Sequence, residues 1–479
     1  MLVVLAVAGG SYLWLHGVVG GSHPKDAAIS AALAESPGDG ALIGSPEAMD
    51  ILVFGSDSRW VAEGEQGRSD TIMLVHADPK QNYLSILSLP RDLRVEVPGH
   101  GVQKLNAAYA FGGPALTIRT VKRLTGVDIK YYLEIDFNAF RDITNELGGV
   151  YIDVDRRYYN DDPTWELIKI SPGYQLLDGE KALDYVRFRH DLNYDFGRMQ
   201  RQQRFLDAVR EQALGWNLPL KLPGLVSSLF DNVTTTLGTN DILRLAYWGI
   251  KLPADRIRHI TVVGDIRTVD GVSYVIPAEG AVAEAVQQLL SPPDKTATTQ
   301  STAHGSVSRS EASSTTATTA RASAETSLGP ASVGGIPNSD LWKQMASAAP
   351  FTLMAPTYLP PGYQYVDRQP TNGGTYSIQV GDKTEPAIKM VYRLTREGEV
   401  TDQYMGIMET TWLDAPAASA GVEVKRDGIT YTFVGTPQRT ERVWWKRDGV
   451  LYWVSNTLSY YLSKEELLEV AQSMVPVSH

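Results

Sequence analysis

From Pro292 to about Asn338 the chain runs through a Ser/Thr/Ala-rich tract, TATTQSTAHGSVSRSEASSTTATTARASAETS, with few apolar residues and no period. A segment of that composition cannot bury enough apolar surface to offset the entropy of ordering it, so it reads as a flexible tether. The rest of the 479 residues must then form separate bodies with separate cores. One body is expected at residues 47–291, and a smaller one at 339–479.

In the first body, short buried-strand signals alternate with amphipathic helices. Asp50–Gly55 (DILVFG), Thr71–His76, Tyr83–Leu89, Tyr131–Asp136, Val150–Val154 and His259–Val263 read as strands. Ala115–Thr125, Phe137–Leu147 (closed by Gly148-Gly149), Leu243–Leu252 and Pro277–Leu290 read as helices. That alternation predicts an α/β fold with a mixed central sheet covered by helices on both faces. Asp57 and Asp70 fall at a strand end and a strand start. If those strands are neighbours, both carboxylates reach one edge of the sheet, where open α/β sheets place ligands. Two hard oxygen ligands with room for water and phosphate oxygens suit magnesium, or manganese in its place. The plain alternative for each aspartate is Asx-turn capping. Arg91 follows a buried strand and a proline, so it is a held cation and a candidate phosphate clamp. Lys104, taken alone, is a surface lysine before a helix.

The net charge of −11 without a Lys/Arg-rich stripe argues against nucleic-acid binding. The absence of cysteine excludes disulfides, thiolate metal sites and a cysteine nucleophile. The first 21 residues, MLVVLAVAGGSYLWLHGVVGG, carry no Lys, Arg, Asp or Glu and are just long enough to cross a bilayer. No basic residue precedes the run, as the positive-inside rule would ask, and a start codon placed too far downstream would explain that. The rival is a cleaved signal peptide, but the nearest small-x-small site, Ala32-Leu33-Ala34, lies far past the apolar run. An uncleaved anchor (1–21) followed by a spacer (22–46) is therefore expected, with the remainder outside the cell.

The densest polar chemistry lies in LDYVRFRHDLNYDFGRMQRQQ, residues 183–203. With the adjoining Arg204 it gathers Arg187, Arg189, Arg198 and Arg201 around Asp184, Asp191 and Asp195. Asp195, Arg198 and Gln202 share one face of a helix starting near Asp195. The segment reads as a helix over Asp178–Tyr185, a polar loop and a helix over Gly197–Leu214. Guanidiniums grip diphosphates bidentately and stay charged at any working pH. An arginine-rich, solvated helix face is the competing reading. The apolar stripes that follow, including Leu206, Val209, Leu222, Leu225 and Leu229, read as core or as a slot for a lipid chain.

Five of these segments, GSDSR (Gly55–Arg59), RSDTIML (Arg68–Leu74), LPRD (Leu89–Asp92), KLNAAYAFGG (Lys104–Gly113) and YVRFRH…D..GR…Q (Tyr185–Gln202), resemble the LytR–CpsA–Psr family in order and spacing. The resemblance covers about residues 48–290. It implies a membrane-anchored transferase that moves a glycopolymer, such as teichoic acid, from a polyprenyl-pyrophosphate carrier onto peptidoglycan. Asp57 and Asp70 resemble its metal-binding aspartates. Arg91, Lys104, Arg187, Arg189 and Arg198 resemble the residues that hold the pyrophosphate. Arg59, which closes the GSDSR motif, joins them, and Asp195 and Gln202 resemble the polar pair beside it. The implied chemistry is phosphotransferase-like and electrostatic, the cations neutralising charge on the departing phosphate oxygens. Asp195 or Asp92 would take the proton of the accepting sugar hydroxyl. Hydrolysis of the same carrier and a non-catalytic wall-binding or regulatory role are the alternatives.

The second body begins with a helix-like SDLWKQMASAA and ends with one over Lys464–Met474, with alternating strands between them. This predicts an α+β domain built on a mainly antiparallel sheet. Trp444, Trp445, Tyr452 and Trp453 read as core, or alternatively as a sugar-binding platform.

Overall fold

The computed structural model describes residues 26–37, 47–57, 68–161, 167–188, 194–213, 233–293, 335–365, 373–396, 399–436 and 439–477. The anchor, residues 294–334 of the tether, and Leu222, Leu225 and Leu229 of the lipid-slot reading lie outside them. Among the described residues no helix is long and apolar enough to cross a membrane.

The first body holds strands β1 (Met49–Asp57), β2 (Arg68–Asp78), β3 (Tyr83–Leu89), β4 (Arg94–Val97), β5 (Gly101–Lys104), β6 (Tyr131–Asp136) and β7 (Val150–Val154). β8 (Tyr158–Asn160), β9 (Ile168–Ile170), β10 (Gly173–Leu177), β11 (Val233–Thr235), β12 (Ile257–Thr261), β13 (Gly264–Val269) and β14 (Val272–Pro277) complete them. Its helices are α1 (Ala27–Ala34), α2 (Ala107–Thr125), α3 (Phe137–Glu146), α4 (Gly179–Arg187), α5 (Tyr194–Ala213), α6 (Thr239–Lys251) and α7 (Ala281–Leu290).

A mixed six-stranded sheet, in the order β11-β6-β1-β2-β3-β12, forms the centre. β1 runs antiparallel to β2 and parallel to β6, while β3 runs antiparallel to β2 and parallel to β12. β3 is buried at every position because helices cover both faces, as its unbroken apolar run requires. One face (Ile51, Val53, Val75, Ile86, Leu133) packs on α3 to α6, and the other (Leu52, Phe54, Leu74, Leu87) on α1, α2 and α7. The expected α/β sandwich is therefore present.

Two expectations need correction. The helix expected from Ala115 begins at Ala107 and kinks where Gly112 and Gly113 leave helical geometry just before Pro114. The helix expected from Pro277 starts at Ala281, because Gly264–Pro277 forms a hairpin. The aromatic residues of the second body follow the core reading. Trp445 and Tyr452 stack inside the second core, Trp453 is fully buried, and the half-buried Trp444 donates its indole N–H to Ser419 O.

The second body has strands β15 (Met354–Pro356), β16 (Tyr363–Tyr365), β17 (Gly373–Val380), β18 (Lys383–Arg396), β19 (Glu399–Thr410) and β20 (Val422–Arg426). β21 (Ile429–Thr436), β22 (Arg439–Arg447), β23 (Val450–Ser455) and β24 (Met474–Pro476) follow. Its helices are α8 (Ser339–Ala348) and α9 (Lys464–Gln472). β16 to β23 make an antiparallel eight-stranded sheet, the expected architecture. Trp342 of α8 and Leu467 and Val470 of α9 bury one face. Trp453, Met408 and Leu451 on the other face pack against Tyr174 of the first body.

Candidate functional site

β1 and β6 end, β3 ends, and β2 begins at one edge of the central sheet. The register shows this: Ser56 lies opposite both Ser69 and Asp136, and Ile72 lies opposite Leu89. Between Gly55↔Thr71 and Ser56↔Ser69 the pairing shifts, so Asp70 is the extra residue of a bulge. Bulges twist a strand and re-aim one side chain, and they recur beside active sites. A Cβ on Gly55 would come within 3.1 Å of Thr71 Cβ, so a residue without a side chain fits where the bulge brings the strands together. Asp57 lies at the same end of β1, opposite Arg68. The backbone thus brings Asp57 and Asp70 to one edge of the sheet.

Past the end of β3, the Pro90–Leu93 turn is closed by Leu93 N–H to Pro90 O at 3.0 Å. It is tied down by Asn106 N–H to Arg91 O at 3.0 Å. The β4–β5 hairpin returns the chain so that Lys104 Nζ reaches Asp92 Oδ1 at 3.0 Å. Arg91 Nε lies 3.6 Å from Asp92 Oδ2. Asp92 therefore holds two cations side by side at the sheet edge, all three side chains only partly exposed.

α4 and α5 supply the remaining groups. Asp178 caps α4 by accepting from Lys181 N–H, and the helix runs to Arg187, whose guanidinium lies 4.0 Å over the Phe137 ring at the start of α3. On α5, Arg198 is buried, and Gln202 donates to Thr71 Oγ1 at 2.8 Å and to Val186 O at 3.4 Å. Gln202 thus pins α5 to the residue after Asp70 and to the last turn of α4. Asp195 sits in the first turn of α5. Arg59 and Arg189 lie outside the described residues.

Three contributors did not stand out in the sequence. Thr71 and Phe137 are ordinary strand and helix residues whose roles depend on partners 131 and 50 positions away. Arg201 belongs to the arginine stretch but is fully buried, donating to the Tyr185 and Phe188 carbonyls. It shapes the backbone that presents its neighbours. It shares a helix face with Arg198 at i and i+3, so no sequence signal could have separated the two.

The LytR-CpsA-Psr family model matches residues 24–291. The chain is 30% identical, over 52% of its length and 80% of the relative's, to a polyisoprenyl-teichoic acid–peptidoglycan teichoic acid transferase, TagU, of Enterococcus faecalis. It is 33% identical to the regulatory protein MsrR of Staphylococcus aureus, over 45% of this chain and 64% of that one. A crystal structure of B. subtilis TagV aligns at 29% identity and a TM-score of 0.46, over 51% of this chain and 96% of that one. With the family model spanning more than half of its residues, this chain belongs to the LytR–CpsA–Psr family.

Proposed function

We propose that the protein transfers a glycopolymer from a polyprenyl-pyrophosphate carrier onto peptidoglycan. What supports this reading is that Lys104, on Asp92 past the end of β3, Arg187, on Phe137 past the end of β6, and Gln202, on Thr71 near the start of β2, each contact a residue at one sheet edge, in a chain 30% identical to a relative named for that activity. Fixed guanidiniums offer bidentate contacts to a diphosphate and need no reorganisation as charge builds on its oxygens. The acceptor's sugar hydroxyl attacks the phosphorus nearer the donor sugar. The phosphoanhydride P–O bond breaks, the hydroxyl proton passes to a carboxylate, and polyprenyl phosphate departs. Asp57 and Asp70 would hold a magnesium or manganese ion, which when bound supplies additional positive charge to the phosphate oxygens. Asp92, with both oxygens turned to cations, orients Arg91 and Lys104. The proton acceptor we assign is Asp195, in the first turn of α5. Arg59 and Arg189 are placed with the pyrophosphate ligands on the family motif. Residues 1–21 would anchor the chain, with the site on the outer face where the lipid carrier resides.

The test is turnover of a polyprenyl-pyrophosphate-linked saccharide by the full chain with magnesium and peptidoglycan, beside Arg187→Ala. Sugar appearing on peptidoglycan in the wild type, and reduced at least about a hundredfold in the variant, supports the transferase. Sugar appearing only in solution makes the protein a hydrolase of the carrier. The likeness to a protein named as regulatory supports a third reading, in which Arg91→Ala and Arg187→Ala leave the cellular function intact.

A further inference from the structure

Helix α5 is held from two opposite sides. At about 100° per residue, Arg204, Asp207 and Glu211 lie roughly 140–200° around the helix from Gln202, while Arg198 lies within about 40° of it. The far side meets the second body. Arg204 Nη1 lies 2.5 Å from Glu441 Oε2, and Arg442 Nη2 lies 2.6 Å from Glu211 Oε1. Asp207 Oδ1 lies 3.3 Å from His259 Nε2, and Arg439 donates to the His259 carbonyl at 2.9 Å. Burial alone would pull the Arg204 guanidinium down, but Glu441 and Glu211 hold it above its ordinary value.

The same domain reaches both ends of the segment between α4 and α5. At its entry, the Arg156 guanidinium lies 5.7 Å over the Phe188 ring and 5.3 Å over the Tyr404 ring of β19. Past its exit, Gln200 Nε2 donates to Ser459 Oγ at 2.9 Å, and Gln403 donates to the same hydroxyl at 3.1 Å. Phe188 directly precedes Arg189, and Gln200 lies between Arg198 and Gln202.

We propose that the C-terminal domain is a clamp for the pyrophosphate site, with Glu441 and Arg442 as positioning residues that set the rotation and depth of α5. This rests on the pyrophosphate reading of the site given above. Removing a partner from a buried ion pair leaves its mate uncompensated, so α5 must shift or admit water. Arg198 and Gln202 move with the helix.

The experiment uses the full chain with Arg442→Met, the milder Glu441→Gln, and Arg442→Lys, which keeps a charge facing Glu211. Amide hydrogen exchange over residues 188–213 and affinity for inorganic pyrophosphate are both measured. The expected result is faster exchange confined to that region and affinity about tenfold to a hundredfold weaker in Arg442→Met and Glu441→Gln, with both effects smaller in Arg442→Lys. Unchanged exchange in both Arg442→Met and Glu441→Gln overturns the clamp whatever the ligand. Faster exchange with unaltered affinity overturns the positioning role. A wild-type chain that fails to bind pyrophosphate overturns the site reading first, and the clamp's role in it follows.

Discussion

Two aspartates can be told apart by what surrounds them. Asp92 is bracketed by Lys104 at 3.0 Å and Arg91 at 3.6 Å. Both of its oxygens already face cations, an arrangement that suits it to orient Arg91 and Lys104. Asp195 sits in the helix turn that leads to Arg198 and Gln202. The two substitutions should therefore fail differently in steady-state kinetics. Asp195→Asn is expected to lower kcat by about 10²–10⁴ with little change in KM, the loss typical of a general base. Asp92→Asn loosens Arg91 and Lys104 and, on their proposed role at the pyrophosphate, should raise KM about tenfold, the value of a charge-assisted hydrogen bond or so. A reversed pattern would move the base assignment to Asp92.

At the scale of elements, α1 is tied to the fold by one lysine. Lys122 of α2 is buried, and its ammonium donates to the Leu33 and Glu35 carbonyls at 2.6 Å each and to Asp128 at 3.2 Å. Ile29 and Ala32 add a small apolar contact, and Arg119 pairs with Glu35. Lys122→Met keeps the stem but orphans two carbonyls at the end of α1, at a cost of about 1–3 kcal/mol. Proteolysis should then cut within residues 26–36 well before the global transition; resistance equal to wild type would show that the apolar contact suffices. Elements such as β3 and β6 were legible in the sequence to the residue, because apolar runs bounded by Pro and Asp announce both ends. The β13–β14 hairpin was not, since its mostly exposed strands carry no burial period. Much of the site was legible too, because five motifs at fixed order name the edge residues. The grip on α5 was not. Nothing in the sequence sets Glu441 and Arg442 apart, because their partners lie 237 and 231 positions away.

For the whole molecule, the question is whether two bodies joined by a Ser/Thr/Ala tract behave as one. Asp153 of β7 is the test. It accepts from Lys389 Nζ of β18 at 2.6 Å and from the Trp453 indole of β23 at 2.9 Å, all three groups buried. Around it Tyr151 OH donates to Gln379 O, and Tyr376 OH accepts from Tyr174 N–H. Burial would raise the Asp153 carboxyl, but the Lys389 ammonium beside it holds it below its ordinary value of 3.8. The separated state therefore takes up a proton at a higher pH than the docked state does. Docking gains its full support from this pair above about pH 5 and loses it as the pH falls through 3.8 toward the lower docked value. At pH 7 calorimetry should show one cooperative transition, which divides into two below about pH 4. Asp153→Asn leaves Lys389 buried without its counter-charge, at a cost of about 3–5 kcal/mol. That variant should show two transitions already at pH 7, with the acid dependence largely gone. One transition at every pH in the variant would mean that the α5 ion pairs and the aromatic contacts of Tyr174 and Trp453 hold the bodies together without this pair.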